Sequence, residues 1–242
     1  MAGASAERQE KGVVDAINNA VKENGKNPVT LVAGKTTIKG VIKASKFGGR
    51  QAGGSEPYTD VVIETSDGKQ INLSLKGESA PSLAGGGLKG LELAVPGIAA
   101  KFMKAAFTKL NKMIHVGDKV PDVFGKIGDG DKLKIVIGNK AMGGPIDFMY
   151  IGKMDVAAKY DATKNILTMS NGSLIPAKQY AQEHDLFFRL RARREDQRFD
   201  PSAKDKAGVP KIYGVSPSKG DSAGRIVVVD KVPSTGVIIN IT

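Results

Sequence analysis

The sequence predicts an α/β fold in which helices flank a mixed central sheet. Three observations predict this class. Apolar side chains recur at helical spacing near the start of the chain, apolar and polar residues alternate over Gln70–Lys76, and hairpin signals occur at Ser66-Asp67-Gly68 and Asn171-Gly172. With 242 residues, of which 40% are hydrophobic, the chain is long enough to bury a sizeable core.

The first element is a helix over Ala6–Asn24. Ser5 is a suitable N-cap and Gly25 a suitable C-terminal stop for it. Short strands over Pro28–Ala33 and Ile38–Ala44 are expected to follow. The apolar positions of the helix keep the 3.6-residue repeat, and they are Val13, Val14, Ile17, Ala20 and Val21.

A β-hairpin is predicted next. Tyr58–Glu64 is apolar and β-branched, which is typical of a strand. The turn leads into Gln70–Lys76, where one face is apolar. Glycine-rich loops are expected on either side, over Phe47–Ser55 and Ser82–Gly90. The apolar face of the second strand consists of Ile71, Leu73 and Leu75.

The rest of the chain is predicted to contain a helix over Ile98–His115 and further strands. Leu186–Ala192 fits a strand or the start of a helix, and the polar Asp200–Gly220 is expected to be a loop. We therefore expect a core over residues 1–120 and a β-rich continuation or small subdomain over residues 121–242. The other predicted strands are Leu133–Ile137, Phe148–Ile151, Asn165–Met169 and Leu174–Ile175 (a hairpin), and Arg225–Asp230 and Gly236–Ile241 (a closing pair).

The composition excludes several kinds of chemistry. The absence of Cys removes disulfides, thiolate zinc sites and Cys nucleophiles, and two His residues argue against a His-rich metal site. No window approaches 18 apolar residues, so no membrane span is expected. The net charge of +11, from 36 basic and 25 acidic residues, favours nucleic acid or another polyanion as partner.

One pair of side chains on the predicted hairpin can carry chemistry. Asp60 stands at the head of the first strand and Lys76 at the end of the second, so the turn brings them side by side. An Asp that binds a divalent cation beside a Lys that orients water is the minimum equipment for metal-assisted phosphodiester hydrolysis. Such a pair also arises by chance in many β proteins. A nucleotide P-loop is not supported, because Ala33-Gly34-Lys35-Thr36-Thr37 lacks the upstream Gly.

Pro57–Asp60, followed by Asn72-Leu73-Ser74-Leu75-Lys76, resembles the core motif of the PD-(D/E)XK nuclease superfamily. The resemblance covers roughly residues 5–80 and implies a restriction-endonuclease-like core. It implies that Asp60 and Glu10 hold Mg²⁺ or Mn²⁺ and that Lys76 is the catalytic lysine. It also implies DNA as the substrate and an origin in a phage or a restriction system.

The sequence departs from the family motif at Ser74, where the family has Asp or Glu. A hydroxyl binds magnesium more weakly than a carboxylate does. Three alternatives stay open. The backbone carbonyl of Leu75 with Glu10 holds the ion, or a displaced carboxylate does so, with Glu78 better placed than Glu64. In the third alternative the fold has lost its activity and keeps a binding or structural role.

An arginine-rich segment is the second candidate contact region, because Arg forks bind phosphate bidentately. Acidic neighbours in the same segment leave two alternatives open: a solvated, ion-paired face or an interface with another protein. On the hairpin, Gln70 and Asn72 share the face of Ser74 and are expected to touch substrate. The predicted DNA contacts of the segment are Arg189, Arg191, Arg193 and Arg194.

The leading hypothesis from the sequence is a Mg²⁺-dependent DNA endonuclease without evident sequence specificity. One alternative is a catalytically inactive nuclease-fold protein that serves as a phage virion or assembly component, and Ser74 is its main support. Another is a type II restriction endonuclease with a target-recognition portion in residues 120–242. The expected partners are DNA, further copies of the chain or other phage proteins, in the host-cell cytoplasm or the virion.

Overall fold

The computed structural model is an α/β protein with mixed sheets, as the sequence predicts. The residues that it describes are 4–49, 57–78, 87–191, 197–204, 210–214, 221–222 and 225–241. The helices in this part of the chain are α1 (Ala4–Glu23), α2 (Gly87–Ala94), α3 (Ile98–Leu110), α4 (Asp129–Ile137) and α5 (Ala177–Glu183). None of these described helices combines the length and the apolar character that a bilayer crossing requires.

Fifteen strands complete the described elements. The first nine are β1 (Val29–Ala33), β2 (Thr36–Lys46), β3 (Val61–Thr65), β4 (Gln70–Gly77), β5 (Val123–Lys126), β6 (Phe148–Gly152), β7 (Ala158–Asp161), β8 (Ile166–Met169) and β9 (Gly172–Pro176). The last six are β10 (Phe187–Arg191), β11 (Gln197–Lys204), β12 (Pro210–Gly214), β13 (Asp221–Ser222), β14 (Arg225–Val229) and β15 (Val237–Ile239).

The chain divides into two compact units, and both are discontinuous. Unit 1 comprises Met1–Pro81 and Val136–Glu183, whereas unit 2 comprises Ser82–Ile135 and His184–Thr242. The core over residues 1–120 and the continuation or small subdomain over residues 121–242 expected from the sequence follow the chain linearly, whereas each unit contains two separate segments. The reason is that β6 pairs with β4 in parallel, which returns the chain to the first sheet. Periodicity within a segment does not specify such a distant partner.

Unit 1 is built on an eight-stranded sheet in the order β7-β8-β1-β2-β3-β4-β6-β9. Its pairs are antiparallel except for β1 with β8 and β4 with β6, which are parallel. The predicted hairpin is confirmed as β3 and β4, with Gly68 in the left-handed region at its turn (φ 81°). The hairpin therefore lies in the interior of the sheet, where both strands have neighbours.

The first helix is confirmed, with one correction at its start. It already runs at Ala4, so Ser5 lies within the helix and is not its N-cap. The helix ends at Glu23, and Gly25 is the predicted stop after it, with a φ of 64° that suits a residue without a β-carbon. The N–H of Lys26 then donates to the carbonyl of Val21 at 2.9 Å and closes the last turn.

The apolar stripe of α1 packs on one face of this sheet and forms the core of unit 1. Val13 and Ile17 are fully buried, and so is Leu73 at 1% exposure on the predicted apolar face of β4. Ile71 and Leu75 pack partly buried against the same cluster, so the predicted apolar face does face the core, but Ser74 on the opposite face is buried as well and the predicted alternation of burial is not seen. The strand residues buried with them in this cluster are Val29, Leu31, Ala33, Ile38, Val41, Ala44, Val61, Ile63, Tyr150, Leu167, Met169 and Leu174.

The predicted hairpin around Asn171-Gly172 is wrong. β8 and β9 are consecutive in the chain but are separated by five strands in the sheet, β8 being next to the edge strand β7 and β9 being the other edge. The side chain of Asn171 instead donates to the carbonyl of Asp155 at 2.6 Å and accepts from the N–H of Ala157 at 2.8 Å. β8 pairs with β1 and β7, so a strong local turn signal was overridden by longer-range strand pairing.

Unit 2 contains a four-stranded sheet in the order β14-β10-β5-β15 and a three-stranded sheet in the order β11-β12-β13. The strand alternative for Leu186–Ala192 is confirmed as β10, with Phe188 and Leu190 fully buried. The ring of Phe102 on α3 lies 5.3 Å from that of Phe188. α3 therefore packs on this sheet through its aromatic side chains.

Several predictions for this part of the chain need correction. Leu133–Ile137 is the end of α4, whose first turn carries two Asp residues that favour a helix N-terminus. The helix predicted to reach His115 ends at Leu110. The loop predicted from Asp200 contains strand pairs of the three-stranded sheet, and the predicted loop up to Gly90 overlaps α2. The two closing strands exist but pair with β10 and β5, not with each other.

Candidate active site

Asp60 is fixed by the backbone immediately before β3 begins. Its N–H donates to the carbonyl of Leu73 at 2.8 Å, and its own carbonyl accepts from the N–H of Phe47 at 2.9 Å. The antiparallel register pairs Val61 with Leu73, so Asp60 stands opposite Ser74. The hairpin ladder therefore brings Asp60 to the end of β4, as the sequence predicts.

The carboxylate of Asp60 is held by β4. Its Oδ2 accepts hydrogen bonds from the N–H of Leu75 at 2.6 Å and from the hydroxyl of Ser74 at 3.3 Å. Ser74 is 2% exposed. Its side chain therefore serves Asp60 as a hydrogen-bond donor and does not add a second negative charge beside it.

The charge state of Asp60 is governed by opposing influences. Burial is the largest of them and raises the pKa of its carboxyl above the ordinary value of 3.8. The positive charge of the half-buried Lys76 and the N–H of Leu75 lower this pKa, while the negative charge of Glu10 raises it. The net pKa is raised. Lys76 and Glu10 therefore both act on the Asp60 carboxylate, as expected for parts of one site.

Glu10 is a buried carboxylate on α1, with a residue exposure of 7%. Its Oε2 lies 2.5 Å from the Nζ of Lys46 at the end of β2. This contact raises the pKa of Lys46. No hydrogen bond of regular geometry reaches that oxygen from the described residues, so the ammonium serves as its counter-ion. The side chain of Lys46 is 64% exposed and can leave without disturbing the core.

Gln9 fastens α1 to the strand ends that carry the site. It is 2% exposed, and its side-chain amide donates to the carbonyls of Lys76 at 3.2 Å, Gly152 at 3.1 Å and Lys153 at 3.3 Å. Sequence reasoning missed this residue. A signal was present, because Gln9 precedes Val13 by four residues and so falls on the apolar stripe of the helix.

This site has a small set of donors for a metal ion. It offers the carboxylates of Asp60 and Glu10, and a groove of about 230 Å³ opens beside Glu10 and Lys46. Among the described residues no group of three His, Asp or Glu side chains is placed to share a metal ion. Magnesium is commonly held by one or two carboxylates with water and phosphate oxygens in its remaining positions. A cation would also offset the repulsion that helps to raise the pKa of Asp60.

The two displaced carboxylates considered from the sequence lie in different surroundings. Glu64 is four residues from Asp60 along β3, about 13 Å at a rise of about 3.3 Å per residue. It forms an ion pair with Lys43 at 3.2 Å. Glu78 is exposed and directly follows β4, two residues beyond Lys76. Of the two, Glu78 is therefore the one near the strand end that carries the site.

The two substrate contacts predicted on the hairpin differ in how accessible their side chains are. Gln70 is exposed at the start of β4. The side chain of Asn72 donates to the carbonyl of Pro145 at 2.8 Å, and its N–H donates to Asp147 at 2.7 Å. Asn72 thus fixes the segment before β6, whereas Gln70 is accessible.

The arginine-rich segment belongs to unit 2, and the site described above belongs to unit 1. The guanidinium of Arg189 bonds to the carboxylate of Asp122, with Nε at 2.8 Å, and lies 5.8 Å from the ring centre of Phe124. The guanidinium of Arg189 therefore already has a carboxylate partner within unit 2. Arg191 ends β10 and is half-buried. The predicted contacts Arg193 and Arg194 lie outside the described residues.

Comparison with known proteins provides no relative from which a function can be transferred: no protein-family model, no curated protein and no solved structure matches the chain. What the protein does is therefore inferred from the contacts of Asp60, Glu10, Ser74 and Lys76. Within unit 1 they include a carboxylate with a raised pKa, Asp60, together with the ammonium of Lys76 and the second, buried carboxylate of Glu10.

Proposed function

We propose that this protein is a magnesium-dependent DNA endonuclease that hydrolyses phosphodiester bonds without sequence preference, on a restriction-endonuclease-like core of the PD-(D/E)XK type. The observation that carries the proposal is the Asp60 carboxylate, bonded to β4 and under the charges of both Lys76 and Glu10. The order of elements supports it, because a helix with Glu10 precedes the hairpin whose strands present the other two residues.

The contacts support a separate role for each side chain. Leu75 and Ser74 bond to Oδ2 of Asp60, while no hydrogen bond from the described residues reaches Oδ1. That oxygen is the one free to accept a ligand. The ammonium of Lys76 orients the attacking water and offsets the negative charge that grows on the phosphate. Water adds to phosphorus, the bond to the leaving oxygen breaks, and that oxygen takes up a proton.

Asp60 and Glu10 are the residues that would hold the cation. A divalent ion there supplies charge neutralisation at the phosphate and lowers the pKa of a bound water. Glu10 must exchange its ion pair with Lys46 for this contact, and the exposure of Lys46 makes the exchange compatible with an intact core. Ser74 leaves only two carboxylates in the set, so we expect weak metal binding that needs added Mg²⁺ or Mn²⁺.

The test uses the purified protein, supercoiled plasmid and either Mg²⁺, Mn²⁺ or EDTA. We expect nicking with the metals and none with EDTA. Asp60→Asn and Lys76→Met should each lower the rate about 100-fold or more, because each removes a group that stabilises the transition state. Glu64→Gln is the matched control on β3 and should cleave like the wild type. Equal cleavage by Asp60→Asn and the wild type would contradict the proposal.

A second candidate is a nuclease-fold protein that binds DNA without cleaving it, as a virion or assembly component would. Ser74 favours it, because a hydroxyl stands where the motif has a carboxylate, and the described residues contain no three-ligand group. The same plasmid assay separates the two candidates. Retarded plasmid that stays supercoiled in Mg²⁺ and Mn²⁺ assigns the binding role, and nicked plasmid assigns the endonuclease.

A further inference from the structure

Helix α3 presents a face made of lysines. Its buried side chains are Ala99, Phe102, Met103, Ala106, Phe107 and Leu110. The exposed lysines, here called the lysine face, are Lys101, Lys104, Lys109 and Lys112. At 100° per residue Lys101, Lys104 and Lys109 lie within an arc of about 140° on the side opposite the buried residues, and Lys112 follows two residues after the helix ends. The packing of α3 in unit 2 therefore directs all four charges to solvent.

The lysine face has no local acidic compensation. Residues 98–114 contain these four lysines and no Asp or Glu. The preceding Glu92 is engaged elsewhere, because its carboxylate accepts from the N–H groups of Ala99 at 2.8 Å and Ala100 at 3.2 Å. Other lysines of unit 2 do have partners, as Lys126 pairs with Asp185 at 3.0 Å. Within the described part of the chain no ion pair involves the lysine face.

A groove runs along the lysine face. It has a volume of about 720 Å³ and lies between α3 and the strand β15. β15 is an edge strand of the four-stranded sheet. Besides the four lysines, its lining includes Thr108, Asn240 and Ile238, and Ile238 is 58% exposed. The groove thus combines positive charge, polar groups that can donate hydrogen bonds and one accessible apolar side chain.

We propose that the lysine face and this groove bind the phosphate backbone of a nucleic acid. Lys101 and Lys109 are separated by about 12 Å along the helix axis at about 1.5 Å per residue, and Lys112 lies just beyond the helix end. Duplex DNA carries one phosphate per strand every 3.4 Å or so along its axis, so the helical part of the lysine face alone covers roughly three to four base pairs. A row of like charges matches a linear polyanion of this kind. The surface lies in unit 2 and involves none of the residues proposed for hydrolysis, so it goes beyond the proposed chemistry.

The chemistry of lysine favours nucleic acid over a protein partner. Lysine is depleted in protein interfaces, whereas Tyr, Trp, Met and Arg are enriched there. The ammonium group is a point charge that attracts phosphate without reading base edges. The lysine face contains no Arg and no aromatic side chain. Binding should therefore be independent of sequence and strongly dependent on salt.

The experiment measures binding of a labelled random-sequence DNA duplex in EDTA, so that cleavage does not interfere. For four phosphate contacts we expect the logarithm of affinity to fall with that of salt with a slope of about −3.6, at about 0.9 per contact. Replacing Lys101, Lys104 and Lys112 together by Gln should weaken binding about tenfold or more and reduce the slope to about −0.9. Exposed Lys→Gln changes keep helix propensity, and circular dichroism checks the fold.

The matched control is the triple Gln variant of Lys22, Lys35 and Lys39, three exposed lysines of unit 1. It removes the same charge and should change affinity less than twofold. Equal weakening by both triple variants would overturn the proposal, because only net charge would then matter. Stronger competition by polyglutamate than by unlabelled DNA would overturn it in favour of an acidic protein. Because binding is measured in EDTA and does not depend on cleavage, failure of the nuclease proposal stays distinguishable from failure of this one.

Discussion

At Asp60, the surroundings of the carboxylate act against the stability of the fold. Burial raises the pKa of the carboxyl, and the charge of Glu10 adds to the rise. Lys76 and the N–H of Leu75 compensate only in part, because the net pKa stays raised. A raised carboxyl pKa means that the folded state holds its proton more tightly than the unfolded chain does. The ionised Asp60 therefore destabilises the folded protein at neutral pH, a cost that is common at functional sites.

Replacing Asp60 by Asn should therefore stabilise the protein at neutral pH. Stability of the wild type falls as the pH rises from the ordinary carboxyl pKa of 3.8 through the raised folded-state value. The variant lacks this loss, so its melting temperature at pH 7 should exceed that of the wild type. The difference should vanish below pH 3. Thermal unfolding in EDTA between pH 3 and 8 measures it, and a lower melting temperature at pH 7 would contradict it.

Asp67 provides a control in which the pKa of the carboxyl is lowered instead of raised. Its carboxylate accepts hydrogen bonds from the side chains of Lys69 and Thr65, which lower its pKa to about 2. This group contributes stability above the unfolded pKa that is lost as the pH falls towards 2. Asp67→Asn should therefore lower the melting temperature at pH 7, and the difference from the wild type should shrink as the pH falls from about 4 towards 2.

Among the elements, α1 and its attachment to the sheet determine whether Glu10 stays beside Asp60. Gln9 makes this attachment through one amide shared by three backbone carbonyls. Gln9→Leu keeps the size of the side chain but leaves buried carbonyls without this donor. We expect a loss of about 1 to 3 kcal/mol in the free energy of unfolding, measured by urea denaturation. The pKa of Asp60 should also be raised less in Gln9→Leu than in the wild type, because Glu10 is then held less firmly beside it. The pH dependence of the free energy of unfolding measures this change.

The control for this change is Gln179→Leu on α5. Gln179 bonds to Glu183 at 2.8 Å on an exposed helix face, so its loss should cost only about 0.2 to 0.5 kcal/mol. Similar losses in the two variants would mean that the contacts of Gln9 do not fasten the helix.

The sequence predicted elements that are specified by residues close together in the chain. It did not predict strand pairings that depend on residues far apart in the chain. The helix that carries Glu10 and the hairpin that pairs Asp60 with Ser74 follow from apolar periodicity and a Gly-containing turn. The turn at Asn171 was equally strong, yet its strands joined different neighbours. Leu133–Ile137 has the composition of a strand but is helical, because the Asp residues before it begin a helix there. Local patterns thus located the candidate site but not the sheet around it.

At the scale of the whole molecule, the basic side chains behind the net charge of +11 differ in whether they form ion pairs within the protein. The guanidinium of Arg189, first expected to contact DNA, is paired with Asp122, whereas the lysines of α3 have no ion pair among the described residues. Sequence alone could not separate the two cases, because Asp122 is 67 residues away from Arg189. Net charge in a sequence therefore predicts only a class of partner, and tertiary contacts are needed to find which charges are available to it.

The discontinuous division of the chain leads to the last prediction. If β4 and β6 belong to one cooperative unit, damage in the first half of the chain must loosen residues 148–176 before residues 187–191. Leu73→Ala removes a core side chain of unit 1 that is 1% exposed and should cost about 2 to 5 kcal/mol. Hydrogen exchange read by mass spectrometry should then rise together in residues 29–77 and 148–176.

Phe188→Ala is the reciprocal change, since Phe188 is fully buried in unit 2. Exchange should then rise in β5, β10 and β14, on both sides of the segment that unit 1 contributes. A linear division at residue 120 makes the opposite prediction: Leu73→Ala would loosen α3 while leaving β6 and β9 protected. The two outcomes differ in which peptides exchange, and only the first is compatible with the β4–β6 pairing that surrounds the Asp60 site.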